Sequence, residues 1–96
     1  MPITKQYLKS KPECKITFCV PAKDASKVEV AGDFNDWNSS ELKKFKNGNF
    51  KAQFNLPVDQ KYQFKYIIDG KWENEIEADG YQWNDFAAAE NSVLEV

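Results

Sequence analysis

Two tryptophans, Trp37 and Trp72, each follow a turn sequence instead of standing inside an apolar run. Trp37 ends the segment 28–37, VEVAGDFNDW, in which the two valines and Phe34 have the parity of a buried strand face and Trp37 does not. Trp72 follows the hairpin dipeptide Asp69-Gly70. A ring as large as indole usually packs in a core or contacts a ligand. The two indoles are therefore the first candidates for a binding surface.

Residue types that support catalysis, metal binding and phosphate recognition are scarce. The 96 residues contain no histidine, and all 13 basic residues are lysine. The absence of histidine removes the usual general base and the commonest metal ligand. The absence of arginine, with a net charge of −2, argues against a nucleic-acid partner. We expect no metal and no cofactor.

The two cysteines, Cys14 and Cys19, stand on one predicted strand. At strand spacing their Cα atoms would be about 16 Å apart, which is too far for a disulfide. We therefore predict two reduced thiols, Cys14 buried and Cys19 facing outward, as is typical of a cytoplasmic protein.

Alternation of apolar and polar residues predicts strands over most of the chain. Asn47-Gly48 and Asp69-Gly70 are typical of hairpin turns. No segment has helical periodicity, and the segment 74–90 shows no regular pattern. We predict an all-β antiparallel sandwich of about seven strands, at residues 14–20, 28–34, 42–46, 50–56, 62–68, 71–73 and 92–96.

The first 13 residues are predicted to form a lysine-rich arm before a domain of residues 14–96. Pro12 separates the two, and we expect the arm to be extended, disordered or laid along a sheet edge. The N-terminus lacks the apolar segment of a signal peptide, and no apolar run has membrane-spanning length. The expected location is the cytoplasm, without a membrane partner.

Three motifs resemble family 48 carbohydrate-binding modules. Residues 31–37, AGDFNDW, resemble the G-x-F-N-x-W turn of that family. Residues 62–72, YQFKYIIDGKW, resemble its Y-x-F-K-[YF]-x-[VI]-D-G-x-W hairpin, and residues 90–96, ENSVLEV, resemble its closing N-x-[VI]-[VIL]-x-V strand. The family includes the N-terminal early-set domains of isoamylases and glycogen branching enzymes, and the glycogen-binding domain of the AMP-activated kinase β subunit. The similarity covers residues 14–96, and the short chain resembles free-standing bacterial members.

This resemblance implies an immunoglobulin-like β-sandwich that binds an α-1,4-glucan such as glycogen, starch or malto-oligosaccharide. It also implies a glycogen-metabolising enzyme as a partner. In the kinase type of site, two tryptophans stack on glucose rings while a lysine and an asparagine bond hydroxyls. The matching residues are Trp37, Trp72, Lys65 and Asn91. Indoles cover the C–H patches of a sugar and nearby polar groups take its hydroxyls, so this assignment is chemically sound.

The chain departs from the kinase pattern just before Asn91. In the kinase pattern a leucine and a threonine at this place contact the sugar from both sides. Residues 86–89 of this chain are FAAA instead, which predicts weaker or differently shaped binding. Trp83 is a candidate additional platform, or else it covers the core beneath a long loop. The other four residues also have structural alternatives: a turn plug for Trp37, packing on Ile67 for Trp72, a solvated surface lysine for Lys65 and a pin for a strand start for Asn91.

No catalytic residue is predicted. Glycoside hydrolysis needs two carboxyl groups about 5–10 Å apart across a cleft. Glu73, Glu75 and Glu77 have strand-like spacing and are predicted to share one solvated acidic face. The alternative function is a protein-docking sandwich associated with glycogen-metabolising enzymes, without sugar binding of its own. In that case the tryptophans would belong to a flatter and more aliphatic patch.

Overall fold

A computed structural model describes residues 3–86 and 88–96. These residues form ten strands and one 3-10 turn, Asp33–Asn35. The strands are β1 (Ile3–Tyr7), β2 (Glu13–Pro21), β3 (Val28–Gly32), β4 (Ser40–Glu41), β5 (Lys43–Lys44), β6 (Asn49–Pro57), β7 (Lys61–Ile68), β8 (Lys71–Glu73), β9 (Gly80–Asn84) and β10 (Ala89–Glu95).

The strands form two antiparallel sheets. The first sheet has the order β1-β2-β6-β5, and the second has the order β4-β3-β7-β10-β9. Strand β8 pairs with the end of β7 that β10 leaves open. The prediction of an all-β antiparallel sandwich is confirmed. The described residues hold ten strands and not about seven, because β1, β4 and β9 lie in segments that lack apolar alternation.

The core between the sheets is aromatic and centred on Phe18. Its ring lies 5.4 Å from that of Phe34, 5.8 Å from that of Phe54 and 5.2 Å from that of Phe64, measured between centroids. Burying one such side chain contributes about 1.5–3 kcal/mol. Phe34 belongs to the 3-10 turn after β3, so the core also anchors that turn.

Residues Ile3–Tyr7 of the predicted arm form a strand of the first sheet. Strand β1 pairs with β2 from Ile3↔Phe18 to Tyr7↔Cys14, and Ile3 packs against the core. Lys5 Nζ lies 2.7 Å from Asp79 Oδ2, in the segment that leads into β9. Met1 and Pro2, the first residues of the predicted arm, lie outside the described residues.

The two cysteines are free thiols, as predicted. Cys14 is buried and Cys19 is half-buried. Within residues 3–86 and 88–96, no helix has the length and apolar character that crossing a membrane requires.

The prediction that Glu73, Glu75 and Glu77 share one solvated face was wrong, because Glu75 is buried. Glu75 is only 3% exposed, and its carboxylate accepts hydrogen bonds from the Tyr66 hydroxyl at 2.8 Å and from Glu77 N at 3.0 Å. Its own backbone N donates to Ser92 Oγ at 2.8 Å. The strand parity fails because β8 ends at Glu73, and the turn that follows directs Glu75 inward. The pKa of Tyr66 is raised far above its ordinary value. Burial is the largest cause, and the charge of the nearby Glu75 carboxylate is the second.

Candidate functional site

The candidate site lies on the outer face of the second sheet. On β7, Phe64 and Tyr66 face the core, so Gln63 and Lys65 face outward by strand parity. The strand register shows which neighbours lie on the same face. Trp72 on β8 is opposite Ile67 of β7. Val93 on β10 is opposite Gln63 of β7, and Asn91, two residues before Val93, is opposite Gln82 on β9.

Trp37 reaches this face through the tight turn after β3. The turn is held by Asn35, whose Oδ1 accepts from Gly32 N at 2.9 Å and whose Nδ2 donates to Val30 O at 3.2 Å. Trp37 N also donates to Gly32 O at 2.9 Å. Asp36 and Trp37 have φ values of 56° and 60°, a left-handed conformation that costs about 1–2 kcal/mol per residue. The surrounding contacts therefore maintain an unfavourable backbone that presents the indole.

Asp33 fixes the indole against β7. Its Oδ1 accepts a hydrogen bond from Trp37 Nε1 at 2.9 Å, and its Oδ2 accepts one from Gln63 N at 2.8 Å. One carboxylate thus joins the ring, the turn and the strand. Trp37 remains 36% exposed, so part of the ring is open to a ligand.

Trp37 borders a shallow depression of about 380 Å³. Inside it, Asn91 Nδ2 donates to Gln63 Oε1 at 3.1 Å. Asn91 is only 4% exposed, so it presents little more than the edge of its amide. The lining combines indole rings with amides and carboxylates, namely Asp33, Trp37, Gln63, Gln82, Trp83, Asn84, Asp85 and Asn91.

Lys65 and Trp72 lie on the same face but outside this depression. Lys65 follows Gln63 by two residues on β7, about 6.6 Å at strand spacing, and it is half-buried. Trp72 is 54% exposed opposite Ile67, so packing on Ile67 leaves half of it open. The structure therefore brings Trp37 and Asn91 into one depression and places Lys65 and Trp72 beside it.

Trp83 lies on the far rim of the depression. It is 55% exposed on the edge strand β9, and its Nε1 donates to Asp85 Oδ1 at 2.6 Å. It does not cover the core. Its register partner is Glu90, so its parity is opposite to that of Gln82 and Asn91. Of the alanines before Asn91, Ala87 lies outside the described residues, and Ala88 and Ala89 present no large side chain.

Sequence reasoning missed five of the eight lining residues, namely Asp33, Gln63, Gln82, Asn84 and Asp85. Asp33 occupies a variable position of the G-x-F-N-x-W motif, so the motif does not mark it. Gln63 had one signal, the outward parity that it shares with Lys65. Gln82, Asn84 and Asp85 had none, because they lie in the segment 74–90, which shows no regular alternation.

Other parts of the described chain offer weaker chemistry. A cavity of about 370 Å³ opens at the sandwich edge, where Cys19, Tyr66, Glu75 and Ile76 contribute to its lining. Its buried Tyr66–Glu75 pair is already hydrogen-bonded, so neither group is free to hold a ligand. Residues 3–86 and 88–96 hold no cluster of three or more His, Cys, Asp or Glu arranged for a metal ion.

Comparison with known proteins identifies the family of the chain. The family described as the glycogen recognition site of AMP-activated protein kinase matches residues 15–96. The chain is also similar to the 1,4-alpha-glucan branching enzyme GlgB of Bacillus subtilis (strain 168), with 36% identity over 67 residues. That similarity covers 67% of this chain and 11% of the enzyme, so the chain spans only a small part of that relative's length.

Proposed function

The chain belongs to the glycogen-recognition family of AMP-activated protein kinase, and on that premise we propose that it is a non-catalytic module that binds α-1,4-glucans. Glycogen, starch and malto-oligosaccharides are the proposed ligands, and the outer face of the second sheet is the proposed surface. The observation that carries the proposal is the Trp37 indole, held by Asp33 beside the Gln63–Asn91 amide pair.

Each part of this surface has a role that suits a sugar. The open part of Trp37 covers the C–H patch of one glucose ring, and Trp72 covers a second ring farther along the face. Lys65, between them, supplies an ammonium with three donors. Asn91 already donates to Gln63, so we propose that it accepts a sugar hydroxyl through Oδ1. Trp83 on the rim is a proposed additional platform.

The electrostatics favour a neutral ligand. The depression is lined by the carboxylates Asp33 and Asp85 and by no basic residue among its described lining, so an anionic ligand would be repelled. Sugar hydroxyls both donate and accept, which matches a lining of amides and carboxylates.

The same carboxylates support a non-catalytic role. Asp33 accepts from the Trp37 indole and Asp85 from the Trp83 indole, so both groups orient rings. Neither faces the other across a deep cleft, as the acid and base of a glycosidase must. We propose that catalysis belongs to a glycogen-metabolising partner enzyme, a class to which the similar branching enzyme belongs by name.

Protein docking is the second candidate function. It is favoured by Ile76 and Phe86, which are almost fully exposed in loops near β9. Large exposed apolar side chains are typical of interaction surfaces. Docking accounts for these two loops but not for the polar depression beside Trp37, so we rank sugar binding first.

Titration with maltoheptaose and co-sedimentation with glycogen test the proposal. We expect dissociation constants of about 10 μM to 1 mM for oligosaccharides, with tighter apparent binding to the polymer through multivalency. Trp37→Ala and Trp72→Ala should each weaken binding at least about tenfold, equivalent to about 1.4 kcal/mol, without unfolding. Phe45→Ala, which removes an exposed ring associated with the first sheet, is the matched control and should bind normally.

Two results would contradict the proposal. One is a native chain whose tryptophan fluorescence and amide shifts do not respond to millimolar sugar. The other is a pair of tryptophan variants that stay folded and bind as tightly as the native chain. Unfolding of either variant would instead assign its indole a packing role.

A further inference from the structure

A second hollow adjoins the Trp37 depression on the outer face of the same sheet. Its volume is about 250 Å³. It shares Asp33, Gln63 and Gln82 with the first depression. The two hollows are therefore neighbours that share one wall.

One residue that lines the hollow is a glycine that the fold does not require. Gly80 on β9 is opposite Val93 on β10, which in turn is opposite Gln63 on β7. A Cβ added at Gly80 would meet only Val93 Cβ, at 3.9 Å, which is an ordinary contact. The missing side chain thus leaves open space above Val93 and relieves no clash.

The walls of the hollow match a sugar ring. Half-buried Val93 forms an apolar floor for a C–H patch. At one side Lys61 Nζ lies 3.3 Å from Glu95 Oε1, with both side chains mostly exposed. Such an exposed ion pair is weak, so Lys61 and Glu95 can separate and form hydrogen bonds with sugar hydroxyls instead.

The charge of the hollow also points to a neutral ligand. Three carboxylates, those of Asp33, Asp79 and Glu95, face one lysine, Lys61. Asp79 Oδ2 is already occupied by Lys5 Nζ at 2.7 Å and by Glu95 N at 2.8 Å. A phosphate or nucleic acid would be repelled here, whereas hydroxyl groups would find acceptors.

We propose that this hollow is a second carbohydrate subsite, and that one linear α-glucan runs from Trp37 over Gln63 and Gln82 to Gly80. The outward residues Asn91, Val93 and Glu95 follow one another at about 7 Å, so the second hollow extends the site by about 13 Å along β10. The module therefore discriminates by chain length, binding long malto-oligosaccharides more tightly than short ones. This inference rests on the proposed function.

Gly80→Leu fills the hollow, and Gly80→Ala is its matched control because it adds one methyl group. Both variants and the native chain are titrated with maltotriose and maltoheptaose by calorimetry. We expect the native chain to bind maltoheptaose at least tenfold more tightly than maltotriose. Gly80→Leu should lower the maltoheptaose affinity to the maltotriose level and leave maltotriose binding unchanged, and Gly80→Ala should retain the preference.

A second measurement uses the native chain alone, so it tests the inference even if the Gly80→Leu variant does not fold. Maltoheptaose should shift the amide resonances of Gly80 and Val93, and maltotriose should not. The inference is overturned by equal affinities for the two sugars, by a folded Gly80→Leu variant with native maltoheptaose affinity, or by unshifted Gly80 and Val93 amides. In each of these results sugar binding at Trp37 survives. If the native chain binds neither sugar, the proposed function fails and the subsite fails with it.

Discussion

Two aspartates, Asp33 and Asp85, each hold the indole ring of a tryptophan. Asp33 accepts the indole N–H of Trp37, and Asp85 accepts that of Trp83. An indole N–H has to find an acceptor when its ring is held in place, and a carboxylate is a strong one. The two carboxylates that line the depression therefore orient the indole rings of Trp37 and Trp83.

Removing the Asp33 carboxylate should weaken sugar binding. Asp33→Ala releases the Trp37 ring and its tie to Gln63 N, so we expect a three- to tenfold loss of maltoheptaose affinity, up to about 1.4 kcal/mol. Calorimetry measures the loss, and the NMR shift of the Trp37 indole proton reports the release of the ring.

Asp36→Asn is the control for this change. It removes the same charge three residues away, and asparagine tolerates the left-handed backbone of position 36. This variant should bind normally. Native affinity in Asp33→Ala would show that the ring needs no clamp.

The turn after β3 is the decisive element, because it joins the core to the site. Phe34 packs on Phe18 inside the sandwich, while Trp37, three residues later, borders the outer depression. The chain passes from the core side of the second sheet to its outer side within this turn, and Gly32 allows this because it lies very close to β7.

Gly32→Ala should destabilise the fold. An added Cβ would lie 2.6 Å from Gln63 O, 2.7 Å from Phe64 Cβ and 2.9 Å from Phe34 Cε2. Overpacking of this kind costs about 1–3 kcal/mol, which urea denaturation measures. The control Gly80→Ala meets only one contact at 3.9 Å and should change the unfolding free energy by no more than about 0.5 kcal/mol. Equal stabilities for the two variants would contradict this account.

Strand β1 should matter for stability and not for binding at Trp37, because it belongs to the first sheet and the proposed Trp37 site belongs to the second. We propose that residues 14–96 carry the binding activity. Deletion of residues 1–8 removes Ile3 from the core and uncovers one edge of β2. We expect a lower urea midpoint with unchanged maltotriose affinity. Maltotriose is the probe because Lys5 on β1 also pairs with Asp79, which lines the second hollow. A folded deletion variant that no longer binds would refute this division of roles.

Buried hydrogen bonds connect the segment after β8 to strands β7 and β10 of the second sheet. Glu75 accepts from Tyr66 and donates through its backbone to Ser92, and Ser92 Oγ also lies 3.0 Å from Asn74 Oδ1. This network fixes the segment between the Trp72 hairpin and β9, and so sets how the two ends of the proposed binding face are placed.

The buried Tyr66 hydroxyl should make stability fall at alkaline pH. Its pKa is raised by burial above the ordinary value of 10.0, so above about pH 10 the unfolded chain releases this proton and the folded chain does not. The folded state binds more protons in that range, and the unfolding free energy should fall by up to about 1.4 kcal/mol per pH unit from this group. Below pH 10 the contribution is constant.

Urea denaturation between pH 8 and 11 measures this slope. Tyr66→Phe should be less stable at pH 8, because Glu75 loses a donor, but its stability should decline less steeply above pH 10. Tyr7→Phe, which alters an exposed tyrosine on β1, should keep the native slope. Parallel curves for the native chain and Tyr66→Phe would refute the assignment.

The long strands were predictable because each buries one face. Period-two alternation identified β2, β6 and β7 and their inward side chains. Strands β1, β4 and β9 were not predicted, since they are short edge strands that bury little. Glu75 was misplaced because parity ends where β8 ends.

The sandwich and the turn that carries Trp37 can be predicted from the amino-acid sequence, because they depend on local alternation and on short motifs. The polar groups that surround that ring are brought together by folding. Asp33 reaches Gln63 from 30 positions away and Asn91 reaches it from 28 positions away. Contacts across that separation depend on strand order and register, which no local pattern encodes, so the depression and the hollow over Gly80 became visible only in the folded chain.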